Sequence, residues 1–293
     1  MENLNFKVDK EKCIHCGLCE KDCIGHVLGF DKDGFPIVIN EKACIACQHC
    51  LSVCPTSAIS VFDKNPDESG QIYSQNPDMI LNLIKSRRSQ RLYKNENLSE
   101  EKIQKLKEML KWIPTGCNYH KLHFSFIDDL EVMNEFRDHV NSKIVSALTE
   151  KHVKAVIEKF SPFANAFING EDIIFRGAPH LLVVANPVKA PCAKEDVIIA
   201  LSYFELYANS LGLGTCWCGF GEIAMKLFPE LSEYLEIPEG YQAGYVMLFG
   251  EKDVNYARTT QPSEVSVVSA KKKGFEKVGF MQKIKRYFWN YIR

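Results

Sequence analysis

The chain has 293 residues, 46% of them hydrophobic, and its charges nearly cancel at −1. That length accommodates two domains with a sizeable core, and so neutral a balance argues against a nucleic-acid-binding protein. The opening "MENLNFKVDK" lacks the apolar core of a signal peptide, and stretches such as "HLLVVA" at 180–185 are far too short to span a bilayer. A soluble, cytoplasmic protein with reduced thiols is expected, so its cysteines read as ligands before disulfides.

The first element is a pair of thiol runs. "CIHCGLCEKDC" spans Cys13 to Cys23, and "CIACQHCLSVCP" repeats its spacing from Cys44 to Cys54. Short C-x-x-C loops let successive thiolates converge on one inorganic object. In a double run, three thiols hold one cubane and the fourth reaches the other. The expected cages are Cys13, Cys16, Cys19 and Cys54 for one [4Fe–4S] cluster, and Cys44, Cys47, Cys50 and Cys23 for the second. A zinc ribbon also uses paired C-x-x-C units, but with a longer gap between pairs. The runs resemble the bacterial two-cluster ferredoxin module, over about residues 5–62. One position departs from it: Ile24 follows Cys23, whereas Pro55 follows Cys54. Between the runs, "GFDKDGFPIVI" predicts a hairpin turning at Asp33-Gly34. Residues 1–70 carry seven Lys against eleven Asp and Glu, a net of −4.

The ferredoxin-like domain is expected over 1–65 and a polar, proline-containing linker over 66–78. Periodicity then becomes helical in "DMILNLIKSRR", and again after Ser99, an N-cap, in "LSEEKIQKLKEMLKWI". "LHFSFIDD", "HLLVVANP" and "AGYVMLFG" read as strands. "EDVIIALSYFELYANSLGLG" reads as a long helix closed by Gly212 or Gly214. This irregular alternation predicts an α+β domain over 79–265. "GLGTCWCGFG" carries Trp217 where a third glycine would stand, which argues against a Rossmann dinucleotide site.

"SRRSQRLY" gathers Arg87, Arg88, Ser89 and Arg91 after a helix, a set that suits phosphate or, equally, a solvated basic turn. Together with "PTGCNYHKLHF", "GEDIIFRGAPHLLVVA" and "DVIIALSYFELYANSLGLGTCWCG", it resembles the nitroreductase family of FMN flavoproteins over about residues 78–260. The resemblance implies a helix-flanked antiparallel sheet and a homodimer with FMN in clefts at its interface. It implies that Arg87, Arg88, Ser89 and Arg91 hold the phosphate and ribityl chain, joined by the late Arg258. Thr115, Gly116 and Asn118 would lie along the ring, and the backbone of Cys216, Trp217, Cys218 and Gly219 would pass its reactive face. His120-Lys121 and Pro262 depart from the family pattern. His120 is a weak proton-donor candidate, whereas His123 reads as packing. Cys216 and Cys218 flank Trp217, are expected to face opposite sides of an extended segment, and are given a structural role.

Residues 131–168 read as polar-faced helices, either a lid that chooses the substrate or a peripheral hairpin. The tail from 266 to 293 carries, over 271–293, eight Lys and Arg against Glu276, with Met281, Ile284, Phe288 and Tyr291 at helical spacing. Such a helix can lie on a membrane surface or pack on protein, and its aromatics favour packing. The chain therefore reads as an iron–sulfur flavoprotein. It would pass electrons from an external low-potential donor, a ferredoxin or reductase, through two clusters to FMN. The acceptor would be a small conjugated molecule: a nitroaromatic, quinone or activated alkene. The alternative is an electron carrier or redox sensor with a flavin-storing domain.

Overall fold

Thirty-one residues separate each thiol of the first run from its counterpart in the second, and the backbone repeats at the same offset. The computed structural model describes residues 3–150, 158 and 160–270. The N-terminal domain runs β1 (Lys7–Val8), α1 (Leu18–Lys21), β2 (Leu28–Phe30), β3 (Pro36–Val38), α2 (His49–Ser52) and β4 (Ile59–Ser60). β1 pairs with β4 and β2 with β3, both antiparallel. Left-handed backbone recurs in register: His15 with Ala46, Gly17 with Gln48, and His26 with Ser57. A non-glycine residue rarely adopts this conformation. Here it coils the chain tightly enough to turn consecutive thiols inward. The hairpin turns at Gly34, at φ +83°, and Asp31 Oδ1 accepts from the N–H groups of Asp33 and Phe35, both at 2.9 Å. Leu4, Val27, Leu28, Leu51, Ile59 and Val61 form a small core beside Cys19.

The larger domain opens with α3 (Pro77–Ser86), where Asn76 caps the helix by accepting from Asp78 N–H and Pro77 takes its first position. α4 (Glu100–Met109) starts at Ser99, whose hydroxyl accepts from Lys102 N–H, and buries Ile103 and Leu106. There follow β5 (His123–Ile127), α5 (Leu130–Glu150), α6 (Ala164–Ile168), β6 (His180–Pro187), α7 (Ala193–Ser210), β7 (Gly214–Trp217), α8 (Gly219–Leu227), α9 (Glu230–Tyr234) and β8 (Tyr241–Gly250). The strands form one antiparallel sheet in the order β5-β6-β8-β7. A bridge from Ser89 to Thr215 lays the arginine turn beside β7.

β6 is apolar over most of its length because both its faces are covered. Leu181 and Val183 join the core under α5 and α8, while Leu182 and Val184 join the core under α4 and α7. This is the helix-flanked α+β layer expected from the sequence.

α5 differs from its reading as a lid or peripheral hairpin. Met133, Phe136, Val140, Ile144 and Ala147 recur at three- and four-residue spacing, each at most 3% exposed. They make α5 a core helix on one face of the sheet. α3 is the opposite case: it buries no residue, and Met79, Ile80, Leu81 and Ile84 are exposed. Residues 259–270 are exposed and irregular, and the helical spacing expected from Met281 to Tyr291 lies outside the described residues. No helix among the described residues is long and apolar enough to cross a membrane.

Candidate functional site

Cys13, Cys16, Cys19 and Cys54 line one cavity, with about 360 Å³ of empty space. Cys23, Cys44, Cys47 and Cys50 line a second, with about 450 Å³. The fourth thiol of each run thus stands with the first three of the other. Among the described residues, no group of three or more His, Cys, Asp or Glu is gathered tightly enough to hold a single metal ion. Two cavities, each lined by four thiols, are what a pair of cubanes would need.

Amides supply the polar part of each cage. Val27 N–H donates to Cys23 Sγ at 3.4 Å and Ala58 N–H to Cys54 Sγ at 3.2 Å, again 31 residues apart. Burial pushes the Cys50 thiol up to about 11 and the Cys19 thiol up as well. Thiolates there need a cationic partner, which the iron of a cluster provides. The residues therefore fit two [4Fe–4S] clusters. Ile24, in the place of a proline, is 79% exposed, and Cys23 keeps its place in the cage.

A second cluster of residues is arranged along α7. Toward its C-terminal half, buried Glu205 accepts from Arg87 Nη1 at 3.0 Å and Trp217 Nε1 at 3.1 Å, and Thr215 Oγ1 stands 3.4 Å away. Arg87 is therefore already paired with a carboxylate. Arg88 Nη1 donates to the carbonyls of Lys85 and Arg87. Ser89 bridges to Thr215, and Arg91 is exposed. Burial pushes the Cys216 thiol up, opposed by the positive charges of Arg91 and Arg176. Arg176, left-handed at φ +54°, thus joins this group without having been singled out in the sequence. Arg258 lies exposed in the irregular stretch after β8.

At the other end of α7, buried Asp196 accepts from Gly116 N–H at 2.7 Å and pins the Thr115–Asn118 loop to the helix. A Cβ on Gly116 would stand 2.4 Å from Cys192 Sγ, so only glycine permits this approach. His120 N–H donates to Thr115 Oγ1 at 2.9 Å, and His120 Nε2 lies 2.7 Å from Asn118 Oδ1. Asn118 Nδ2 donates to Ile45 O at 3.0 Å, which joins this loop to the second thiol cage. His123 Nε2 lies 3.1 Å from Ser125 Oγ, and burial pushes its pKa down. Asp196 and Glu205 are nine residues apart, about 13.5 Å along the helix axis. α7 thus holds the Thr115–Asn118 loop and the arginine turn a fixed distance apart.

The expectation that Cys216 and Cys218 face opposite sides is overturned. Side chains alternate along a strand, so positions two apart share a face. Both cysteines enter the core on the α5 side, and Trp217 packs on the α7 side with its ring 5.4 Å from that of Tyr245. Cys218 Sγ caps α8 by accepting from Gly221 N–H at 3.3 Å and donates to Ile174 O at 3.4 Å; burial pushes it up to about 12. Its role is structural. α8 begins at Gly219, so its first-turn N–H groups follow directly on the Cys216–Cys218 segment.

Comparison with known proteins gives these sites a family. The 4Fe-4S dicluster domain matches residues 5–68, and the nitroreductase family matches residues 84–251. Over 66 residues the chain is 35% identical to an uncharacterized ferredoxin of Methanocaldococcus jannaschii, covering 22% of this chain and 86% of that one. Over 82 residues it is 33% identical to an archaeal-type glutamate synthase (NADPH) of Dehalococcoides mccartyi, covering 27% of this chain and only 16% of that protein. Against a second such synthase, from Archaeoglobus fulgidus, it spans 10% of the relative's length. A solved nitroreductase with bound FMN from Desulfitobacterium hafniense is 25% identical, with a TM-score of 0.52 over 65% of this chain and 98% of that one. A nitroreductase with bound FMN from Bacteroides fragilis shares the fold at 23% identity and a TM-score of 0.52, over 67% of this chain and 100% of its own. With its family match extending over more than half its length, the chain belongs to the nitroreductase family and carries a 4Fe-4S dicluster domain ahead of the nitroreductase fold.

Proposed function

We propose that this protein is an FMN-dependent oxidoreductase in which two [4Fe–4S] clusters supply electrons to the flavin, for reduction of a small conjugated acceptor. The observation that carries this reading is that the residues up to Arg258 form one compact unit. That unit contains both thiol cages and a fold shared with FMN-bound nitroreductases. Bound FMN would collect electrons singly from the clusters and deliver them in pairs.

The chain's own residues would do the rest. Arg88, Ser89 and Arg91, with Arg87 and Arg258, would hold the phosphate end. Thr115, Gly116 and Asn118 would line the ring. The backbone from Cys216 to Gly219, at the positive end of α8, would face its reactive side. His120 would hold a proton at Nε2, beside Asn118. The exposed apolar face of α3 would close the cleft by pairing two copies as a homodimer. The domain limits would be 1–65, 66–78, 79–265 and 266–293, and the cytoplasm would keep the thiols reduced. Nitroaromatics, quinones and activated alkenes are the acceptors to try, with a ferredoxin or reductase as donor.

The test is turnover. Anaerobically purified protein, reduced chemically, should oxidise through many cycles with at least one of these acceptors. Acid should release FMN rather than FAD. Oxidation that stops after one stoichiometric equivalent with every acceptor would favour an electron carrier or sensor.

A further inference from the structure

The 31-residue repeat gives the two thiol cages equivalent faces, and the fold treats those faces differently. Ile14 and Ile45 are partners in the repeat. Each sits between the first two thiols of its run and lines its own cavity. Ile45 offers its carbonyl to Asn118 Nδ2 at 3.0 Å. Ile14 is 60% exposed against 40% for Ile45. Apolar side chains stand exposed at both cavities, Leu18 and Phe30 at the first and Ile24 at the second, so the difference between the faces lies at the repeat pair and its Asn118 contact.

The loop that reaches Ile45 is shaped for it. Cys117, Asn118 and His120 are all left-handed, at φ +55°, +53° and +44°. Gly116 is tied to Asp196 behind them. Three such non-glycine residues within four positions are costly, and tertiary contacts must hold them there.

From this asymmetry we infer that the two clusters work in a fixed order. The cage of Cys23, Cys44, Cys47 and Cys50 is the outlet to the flavin cleft, through the Ile45–Asn118 contact. The cage of Cys13, Cys16, Cys19 and Cys54 is the inlet, where an external low-potential one-electron donor meets the face at Ile14, the more exposed member of the repeat pair. In each pass the donor loses one electron to the first cluster, which returns to its oxidised state by reducing the second. The second is then reoxidised toward the flavin. Two passes, with protons from water, complete the two-electron reduction. This order rests on the proposal that the clusters feed FMN.

Freeze-quench EPR after mixing with reduced viologen reads the order directly, with FMN absorbance followed in parallel. In Cys47→Ala, which removes a thiol of the second cage, the signal of the reduced first cluster should persist while FMN stays oxidised. In Cys16→Ala, which removes a thiol of the inlet cage, the second cluster's signal should rise more slowly and FMN bleaching should slow with it; filling at the parent's rate would overturn the inlet. Equal decay of the first cluster into FMN in Cys47→Ala would overturn the order while leaving the proposed function intact. Signals that persist in the unsubstituted protein would instead defeat the proposed function. Iron analysis shows whether each variant keeps its remaining cluster. Should either lose both, Asn118→Ala keeps all eight thiols. Compared at equal FMN occupancy, it should prolong the second cluster's signal, and an unchanged decay would overturn the inference.

Discussion

Arg87→Ala separates two tasks assigned to one guanidinium. Its Nη1 stands 3.0 Å from Glu205 Oε1, whose side chain is 9% exposed. Removing it leaves the carboxylate with Trp217 Nε1 at 3.1 Å and the Thr215 hydroxyl at 3.4 Å. One charge-assisted bond is lost, at a cost of about 1.5–3 kcal/mol. Arg87 is one-third exposed, so water recovers part of that loss and the lower half of the range is expected. In a domain of this size that lowers Tm by about 3–9 °C. Calorimetry on FMN-stripped protein reads this effect apart from any phosphate. Adding Glu205→Gln removes the charge that needs a partner and should restore most of the stability. If Arg87 also grips phosphate, FMN affinity should fall about 10- to 100-fold in both the single and the double variant. A stripped Arg87→Ala protein that melts like its parent would refute the role of the pair. FMN affinity that returns together with stability in the double variant would show that Arg87 serves Glu205 and not the phosphate.

Gly116→Ala should cost about 1–3 kcal/mol of stability by overpacking, since the added Cβ would stand 2.4 Å from Cys192 Sγ and 2.6 Å from Cys192 Cβ. Cys192→Gly in the same chain should relieve it, and urea unfolding of the two proteins checks this. Buried His180 accepts from Leu98 N–H at Nε2, and burial pushes its pKa down to about 4 from an ordinary value near 6.5. The unfolded chain binds the proton first, so stability should be level above about pH 6.5 and fall by on the order of 3 kcal/mol as pH drops through 4. His180→Gln should flatten that slope relative to its parent in unfolding titrations at matched pH. Anaerobically purified protein should hold eight iron and eight sulfide per chain, as two cubanes require. Chemical analysis that finds zinc and no sulfide would contradict this.

The thiol cages were legible because their chemistry is written in local spacing: seven residues carry Cys13 to Cys19, and the repeat does the rest. β6 and β8 were legible from apolar runs, and α4 from Ser99. What escaped was long-range pairing. Glu205 lies 118 residues from Arg87, Asp196 lies 80 from Gly116, and Ile45 lies 73 from Asn118. Periodicity says which face of an element is apolar, and nothing about which distant polar group will meet it. β7 was legible only as an extended segment, because four residues are too few to show a period. α5 was misread because its abundant charges mask a narrow stripe, Met133 to Ala147, that is fully sufficient to bury one side of the helix.

The exchange of one thiol between the two halves of the dicluster domain bears on how the protein comes to be made. The first three thiols leave the ribosome early, but their fourth partner, Cys54, lies in the other half. Neither cage is complete until the whole domain has emerged, so iron cannot be loaded half by half during synthesis. A chain cut between the runs would keep four thiols and no finished cage. The duplication that produced two similar halves has thereby made each indispensable to the other, and maturation of the domain is an all-or-none event.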